Sequence, residues 1–304
     1  MNFDLSDDQV ALRDGIRKLC EGRFDMARVR GGFDRSVWAE LAQTGVFSAR
    51  ADGFGWADVS IMFQELGRAL VPGPLTWSHL AHGVVDGGVG GLERPRGDEP
   101  AYVEHRDGLD ALVVVDDDGV ATVAMAALGE PAPLDWPLDP LTPVHRVAAV
   151  PAGERVGDTA LARTWRREGA LLTAAYQVGM AQACVERATA YGLERQQFGR
   201  PVGSFQAVKH LLADMAVQAE VARAAVDAAA CILDDPVTGD ADRAVRGAKV
   251  LAGEAALTNA KGSLQVHGGM GFTWEVDVHL YLKRAWVLNA TFGSPSAHAE
   301  ALAR

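Results

Sequence analysis

Tyr191-Gly-Leu-Glu-Arg195-Gln-Gln-Phe198-Gly199-Arg-Pro201-Val-Gly203-Ser-Phe205-Gln206 lies where one long helical pattern ends and another begins, and the fold is read outward from it. It places an arginine, two aromatic rings and a glutamine around a turn broken by Gly and Pro. Such a turn has the chemistry of an anion clamp: a guanidinium grips two phosphate oxygens with parallel hydrogen bonds, a ring packs on a heterocycle, and an amide orients what lies between. The same residues also make an ordinary interhelical turn with a solvated arginine, and both readings stand on this stretch alone. A second stretch, Gln265-Val-His-Gly268-Gly269-Met-Gly271-Phe272, closes a helical pattern that begins near Ala241. Its three glycines let the backbone turn tightly and approach a ligand with no Cβ in the way, and exposed N–H groups there can face an anion. Glycine ends helices widely, so this signal is weak by itself.

Around these stretches the pattern is helical from Asp158 onward, roughly over 160–191, 205–233, 241–266 and 276–289, which predicts a four-helix bundle. Ala183, Ala188 and Ala190, and Ala224, Ala225, Ala228 and Ala229, form small-residue faces that permit close helix approach. Upstream the period is that of strands. Ala111–Val115 and Val120–Ala124 flank Asp116-Asp-Asp-Gly119, a hairpin turn, and Val144–Val150 is another strand candidate. Pro131, Pro133, Pro137 and Pro140 are expected to break any regular element between them. At the N-terminal end, Ser6-Asp-Asp-Gln9 fits a capping box that starts an amphipathic helix carrying Leu12, Ile16, Leu19 and Cys20. Further helices are expected over 37–42, 59–70 and 77–85, followed by a linker from Asp86 to Pro100 rich in Gly, Pro and charge. The chain thus divides into a helical domain (1–95), a small β domain (96–157) and a helical bundle (158–304).

A chain of 304 residues that is 48% hydrophobic can bury a sizeable core in two or three compact units. A formal charge of −11 argues against a sequence-independent nucleic-acid surface, which needs clustered Lys and Arg. Cys20, Cys184 and Cys231 show no metal-ligand spacing and read as reduced, buried thiols. The segment Met1-Asn-Phe-Asp-Leu-Ser-Asp-Asp carries acid where a signal peptide carries base, and no apolar run approaches the roughly 20 residues of a membrane span. The expected location is the cytoplasm.

Taken together, Arg195-x-x-Phe198-Gly199, then Phe205-Gln206, then Gln265-x-x-Gly268-Gly269-x-Gly271-Phe272 between helices resembles the acyl-CoA dehydrogenase family. The resemblance runs from Phe3 to about Ser294, with gaps in the middle. It implies a mostly α fold with an N-terminal helical domain, a middle β domain and a C-terminal four-helix bundle, and it implies FAD. In the family these two motifs bind the ADP half of FAD on a neighbouring protomer. Carried over, Arg195 pairs with the pyrophosphate, Phe198 packs near the adenosine or ribityl region, and Gln206 hydrogen-bonds toward the cofactor. Gln265, Gly268 and Gly269 contact the ADP end, while Gln197 stands where a hydroxyl residue is common. The family's Thr-Glu-Pro, Gly-Ser-Asp and Trp-x-Thr signatures, which hold the flavin ring and thioester, have no counterpart here; Trp136 is followed by Pro137.

The family also needs a base for the α-proton, usually a Glu in Tyr-Glu-Gly-Thr beyond Gly-Gly-x-Gly. Counting without gaps from Gly271 reaches Thr291-Phe292-Gly293-Ser294, so Phe292 replaces that Glu. A minority of the family takes its base from the helix before the arginine motif. Counting back from Tyr191 lands on Gly169, with Glu168 one residue away, a rotation of about 100° on a helix. Glu168 is therefore a weak candidate base, against a solvated helix charge beside Arg166 and Arg167. Glu275 and His279, four apart, have no third ligand, so no metal site is expected. His267 is expected to be a backbone-bonded structural imidazole, and Glu194 and Arg284 to make structural ion pairs.

One half of a two-subunit FAD site is thus retained and the other lost. The pattern resembles the short subunits of heterotetrameric acyl-CoA dehydrogenases of steroid-degrading actinobacteria, two copies each of two related chains. The resemblance implies a paralogous partner that supplies the base, a bulky steroid-derived acyl-CoA substrate, and an electron-transferring flavoprotein as the usual acceptor. Two alternatives stay open: a homomeric flavoprotein using Glu168, and a non-catalytic scaffold or regulatory subunit.

Overall fold

The computed structural model describes residues 4–97 and 99–304; Phe3, where the family resemblance begins, lies outside them. Ten helices occur among the described residues: α1 Asp7–Arg23, α2 Met26–Arg30, α3 Arg35–Gln43, α4 Trp56–Arg68, α5 Leu75–Ala81, α6 Thr159–Glu194, α7 Gln206–Asp234, α8 Ala241–His267, α9 Val278–Leu288 and α10 Pro295–Leu302. The chain forms two compact units that do not follow chain order. One holds residues 1–26, 56–71 and 170–304, the other 27–55 and 72–169.

The first unit is helical. Its α1 starts at the expected capping box: the Gln9 amide N–H donates to Ser6 Oγ at 3.2 Å and the Ser6 N–H donates to Gln9 Oε1 at 3.1 Å. The four long helical patterns of the C-terminal half are all present as α6–α9, and α10 follows them on a Ser294 cap. Two glycines allow α4 and α6 to touch backbone to backbone. A Cβ at Gly179 would lie 1.8 Å from the Gln64 carbonyl oxygen, and one at Gly67 would lie 2.0 Å from that of Tyr176. Asp234 then caps α4 from another helix, accepting the Trp56 and Ala57 N–H groups at 2.6 and 2.9 Å. Those donors have no intrahelical partner, so a carboxylate there satisfies them and meets the positive helix end. Asn259 Nδ2 ties three helices by donating to the Ala181 and Met215 carbonyls at 3.2 and 2.9 Å. Of the alanine faces, Ala183, Ala188 and Ala229 are buried, whereas Ala190 and Ala224 face outward.

The second unit holds two sheets. The first has strand order β1-β3-β4-β7, with β1 Val89–Glu93 parallel to β3 Ala111–Asp116, then β4 Gly119–Ala124 and β7 Glu154–Gly157 antiparallel. The hairpin at Asp116–Gly119 forms as the sequence predicts, with Gly119 at φ +137°. The linker expected from Asp86 to Pro100 is instead the site of β1. Its glycines carry no side chain because others fill the space: a Cβ on Gly90 or Gly91 would lie 2.4 Å from Leu109 or from the Trp77 ring. The second sheet has order β2-β6-β5, with β2 Ala101–Glu104, β5 Ala132–Pro133 and β6 Val144–Val147. Pro133 does not prevent pairing because β5 lies at the sheet edge, where a missing N–H costs no ladder bond. Leu109, Leu112, Val114, Val123, Leu128 and Val147 belong to one buried apolar cluster of this unit. No helix of the described residues is long and apolar enough to cross a membrane.

Candidate functional site

Both sequence motifs fall at one end of the helical unit, where α6 ends, α7 begins and α8 ends. The first is a two-residue hairpin: β8 Gln196–Gln197 pairs antiparallel with β9 Arg200–Pro201. Phe198 and Gly199 form its tip at φ +53° and +76°, the pair of positive values that a type I′ turn requires. Glycine meets this at no cost, while a bulky ring meets it under strain. The Phe198 ring is 91% exposed and edge-on to Phe205 at 6.1 Å, and the Arg200 guanidinium lies 4.1 Å over the Phe205 ring. Arg195 closes the hairpin with its backbone, accepting the Val202 N–H at 2.7 Å. Its side chain is exposed and makes no ion pair among the described residues.

The second motif caps α8 with Gly268 at φ +59°, a conformation costly for side chains. A Cβ on Gly268 or Gly269 would meet nothing within 4 Å, so the surface there is open. Gly271 differs, since its Cβ would press on the Leu264 carbonyl at 2.9 Å. His267 has the structural role its sequence context suggests: Nδ1 hydrogen-bonds the Ser263 carbonyl at 2.8 Å. Its ring also stacks on Tyr191, centroids 4.2 Å apart and planes 26° apart. That stack joins the two motifs directly.

The donor set fits an adenosine diphosphate group. It comprises one guanidinium, the exposed side-chain amides of Gln206 and Gln265 without protein partners among the described residues, and an open glycine turn. A diphosphate needs cationic, multidentate donors, and a nucleoside needs amides and a flat apolar surface, here offered by Phe198.

The two positions that the sequence count offers for a base behave differently. Phe292 lies in the turn between α9 and α10 at φ +54°, 8% exposed, with Gly293 next at φ +95°. No carboxylate stands at that position. Glu168 is not the solvated charge expected beside Arg166: Arg166 instead pairs with Glu93, its Nη2 2.8 Å from Oε2. Burial pushes the Glu168 carboxyl up to about 7, with Arg167 and Arg50 pulling the other way. Glu275 and Glu194 are exposed and make no ion pairs among the described residues, and Arg284 is buried with Nη1 3.4 Å from the Tyr176 hydroxyl. No group of three or more His, Cys, Asp or Glu among the described residues could hold a metal ion.

Residues 160–304 match the family model described as acyl-CoA dehydrogenase, C-terminal domain. The chain is 35% identical to acyl-CoA dehydrogenase IpdE2 of Mycobacterium tuberculosis, over 92% of this chain and 91% of that protein. It belongs to the acyl-CoA dehydrogenase family. Within that family of oxidoreductases it is also 34% identical to acyl-CoA dehydrogenase FadE34 of Mycobacterium tuberculosis, over 95% of this chain and 46% of the longer protein. Among solved structures, the ChsE4–ChsE5 complex from Mycobacterium tuberculosis shares the fold at TM-score 0.83 and 24% identity, covering 100% of this chain and 98% of that one. A Tcur3481–Tcur3483 steroid acyl-CoA dehydrogenase variant aligns at TM-score 0.81 and 25% identity, over 98% of this chain and 97% of that one. The family motifs were legible because Arg, Gly and Gln at fixed spacing reflect local chemistry. The Tyr191–His267 stack was not, since nothing local to either residue names the other.

Proposed function

We propose that this chain is one subunit of a FAD-dependent acyl-CoA dehydrogenase that introduces a Cα–Cβ double bond into a bulky, steroid-derived acyl-CoA. It supplies the ADP-binding half of the FAD site, and a paralogous partner subunit supplies the catalytic Glu. The observation that carries this is the contrast between the two halves. Arg195, Gln206, Gln265 and the Gly268–Gly269 turn present unpartnered donors on an open surface, while the position that the sequence count assigns to the base carries the buried ring of Phe292. The ChsE4–ChsE5 complex and the Tcur3481–Tcur3483 steroid acyl-CoA dehydrogenase among the structural neighbours support the two-chain form.

FAD, held by Arg195, Gln206, Gln265 and the Gly268–Gly269 turn, would supply the hydride-accepting chemistry. This chain's own part is binding: Arg195 neutralises diphosphate charge, Phe198 covers an apolar face of the nucleotide, and Gln206 and Gln265 orient it. An electron-transferring flavoprotein is the acceptor in this scheme. A second possibility, a homomeric dehydrogenase using Glu168, is favoured by one observation, a half-buried carboxyl that desolvation pushes up to about 7, which suits a general base.

The deciding experiment is the visible spectrum and FAD stoichiometry of the chain purified alone and after co-expression with a paralogous subunit. One FAD per pair of unlike chains, with none on the lone chain, is the expected outcome. Full flavin and activity in the lone protein would select the Glu168 scheme. Arg195→Ala in the complex is expected to lose most of its flavin; unchanged FAD content and activity there would point to a scaffold.

A further inference from the structure

Lys249 sits in the N-terminal third of α8 with none of its surface exposed. An ammonium in such a place costs several kcal/mol unless it is paired, and no carboxylate acts on it: burial alone pushes its pKa down to about 7. Its partners are neutral. Nζ donates to the Leu288 carbonyl at 2.8 Å and to Gln177 Oε1 at 3.2 Å, and Gln177 Nε2 donates to Asn289 Oδ1 at 2.7 Å. Leu288 is the last residue of α9, so this carbonyl belongs to the helix end that lacks intrahelical donors and carries partial negative charge. The same oxygen accepts the Thr291 N–H at 3.2 Å.

The residues around this link leave little freedom. One turn along α8 from Lys249, a Cβ on Gly253 would lie 2.5 Å from Asn289 Oδ1, so glycine alone lets Asn289 seat against the helix. Beyond Thr291 the backbone enters the left-handed region at Phe292 and Gly293, at φ +54° and +95°. The far side of the turn is held by His298 of α10, whose Nε2 is 2.9 Å from the Phe292 carbonyl.

We infer that Lys249 is a positioning residue that locks the turn over residues 289–293, capping the end of α9 and holding Asn289 through Gln177 so that Phe292 keeps its left-handed backbone. Every contact that makes the lock lies within this chain. It spans α6, α8 and α9 and gives the strained turn one arrangement.

Hydrogen exchange of the full chain tests this. Lys249→Met keeps the length of the side chain and removes its donors; it is expected to speed exchange of the 289–293 amides at least tenfold while α7 keeps its protection. Asn289→Ala, at a half-buried site, breaks the link without touching Lys249 and decides the matter if the first variant does not fold. A several-fold acceleration in the same segment is expected. The pH profile separates a lock by this amine from general packing. Opening lets Lys249 regain a proton, so wild-type protection, corrected for intrinsic exchange, is expected to rise with pH from about 7 toward 9 and to stay flat in Lys249→Met. His298 from α10 lies close enough to feel both Lys249 and Arg246 of α8. Burial, Lys249 and Arg246 push His298 below its ordinary value, and arginine stays charged, so neither titrates in that window. Unchanged exchange in both variants, a flat wild-type profile, or a slope that survives in Lys249→Met would each overturn the inference.

Discussion

Glu168 and Phe292 are the two residues whose surroundings most change their character. Burial raises the folded-state pKa of Glu168 to about 7 from an ordinary 4.5. A raised carboxyl favours the folded state below its unfolded pKa and loses that advantage as pH climbs to the folded value. The wild type is therefore expected to lose stability relative to Glu168→Gln between pH 5 and pH 8, by about 2 kcal/mol. Urea unfolding of both proteins at the two pH values measures it, and a gap that stays constant would show the carboxyl to be solvated. Phe292 holds a backbone conformation that costs a bulky residue about 1–2 kcal/mol, offset by burying its ring. What was legible at this scale was side-chain chemistry at fixed spacing, as at Arg195 and Gly268. Lys249 and Glu168 were not legible in the same way, because a charged residue in an amphipathic helical pattern reads as surface until its neighbours are known.

Among the elements, the crossing of α4 and α6 is the least tolerant contact described. At Gly179 the added Cβ would meet backbone atoms of Gln64 and Arg68 at 1.8 and 2.7 Å, which cannot rotate away as a side chain can. Gly179→Ala is expected to cost about 3 kcal/mol, read as a lower denaturation midpoint. Gly247→Ala in α8, where nothing lies within 4 Å, is the matched control and is expected to gain about 0.5–1 kcal/mol from helix propensity. If both substitutions shift the midpoint alike, the helices do not touch as described. Element starts were easier to read than element partners. The α1 capping box is a local pattern and forms as written, whereas β1 was hidden by glycines whose missing side chains make sense only beside Leu109 and Trp77.

For the whole molecule, the sequence order of helices, strands and helices was plain from periodicity, but the joining of residues 56–71 with 170–304 in one unit depends on long-range packing that no window of sequence contains. At this scale the proposed complex is expected to turn over a short straight-chain acyl-CoA with kcat/KM at least tenfold below that for a steroid-derived one. Equal efficiency would remove the bulky substrate from the proposal. The interleaved units also set a timetable for synthesis. The buried face of α4, including Val59, Met62, Phe63 and Leu66, leaves the ribosome early, yet the 170–194 part of α6 that shares its unit arrives only after all of residues 72–169 have been made. At ordinary elongation rates that is on the order of ten seconds during which the side of α4 that meets α6 stands uncovered. Recombinant yield should therefore respond to codon speed over 72–169 and to chaperone supply in that interval, more than to any change in the finished protein.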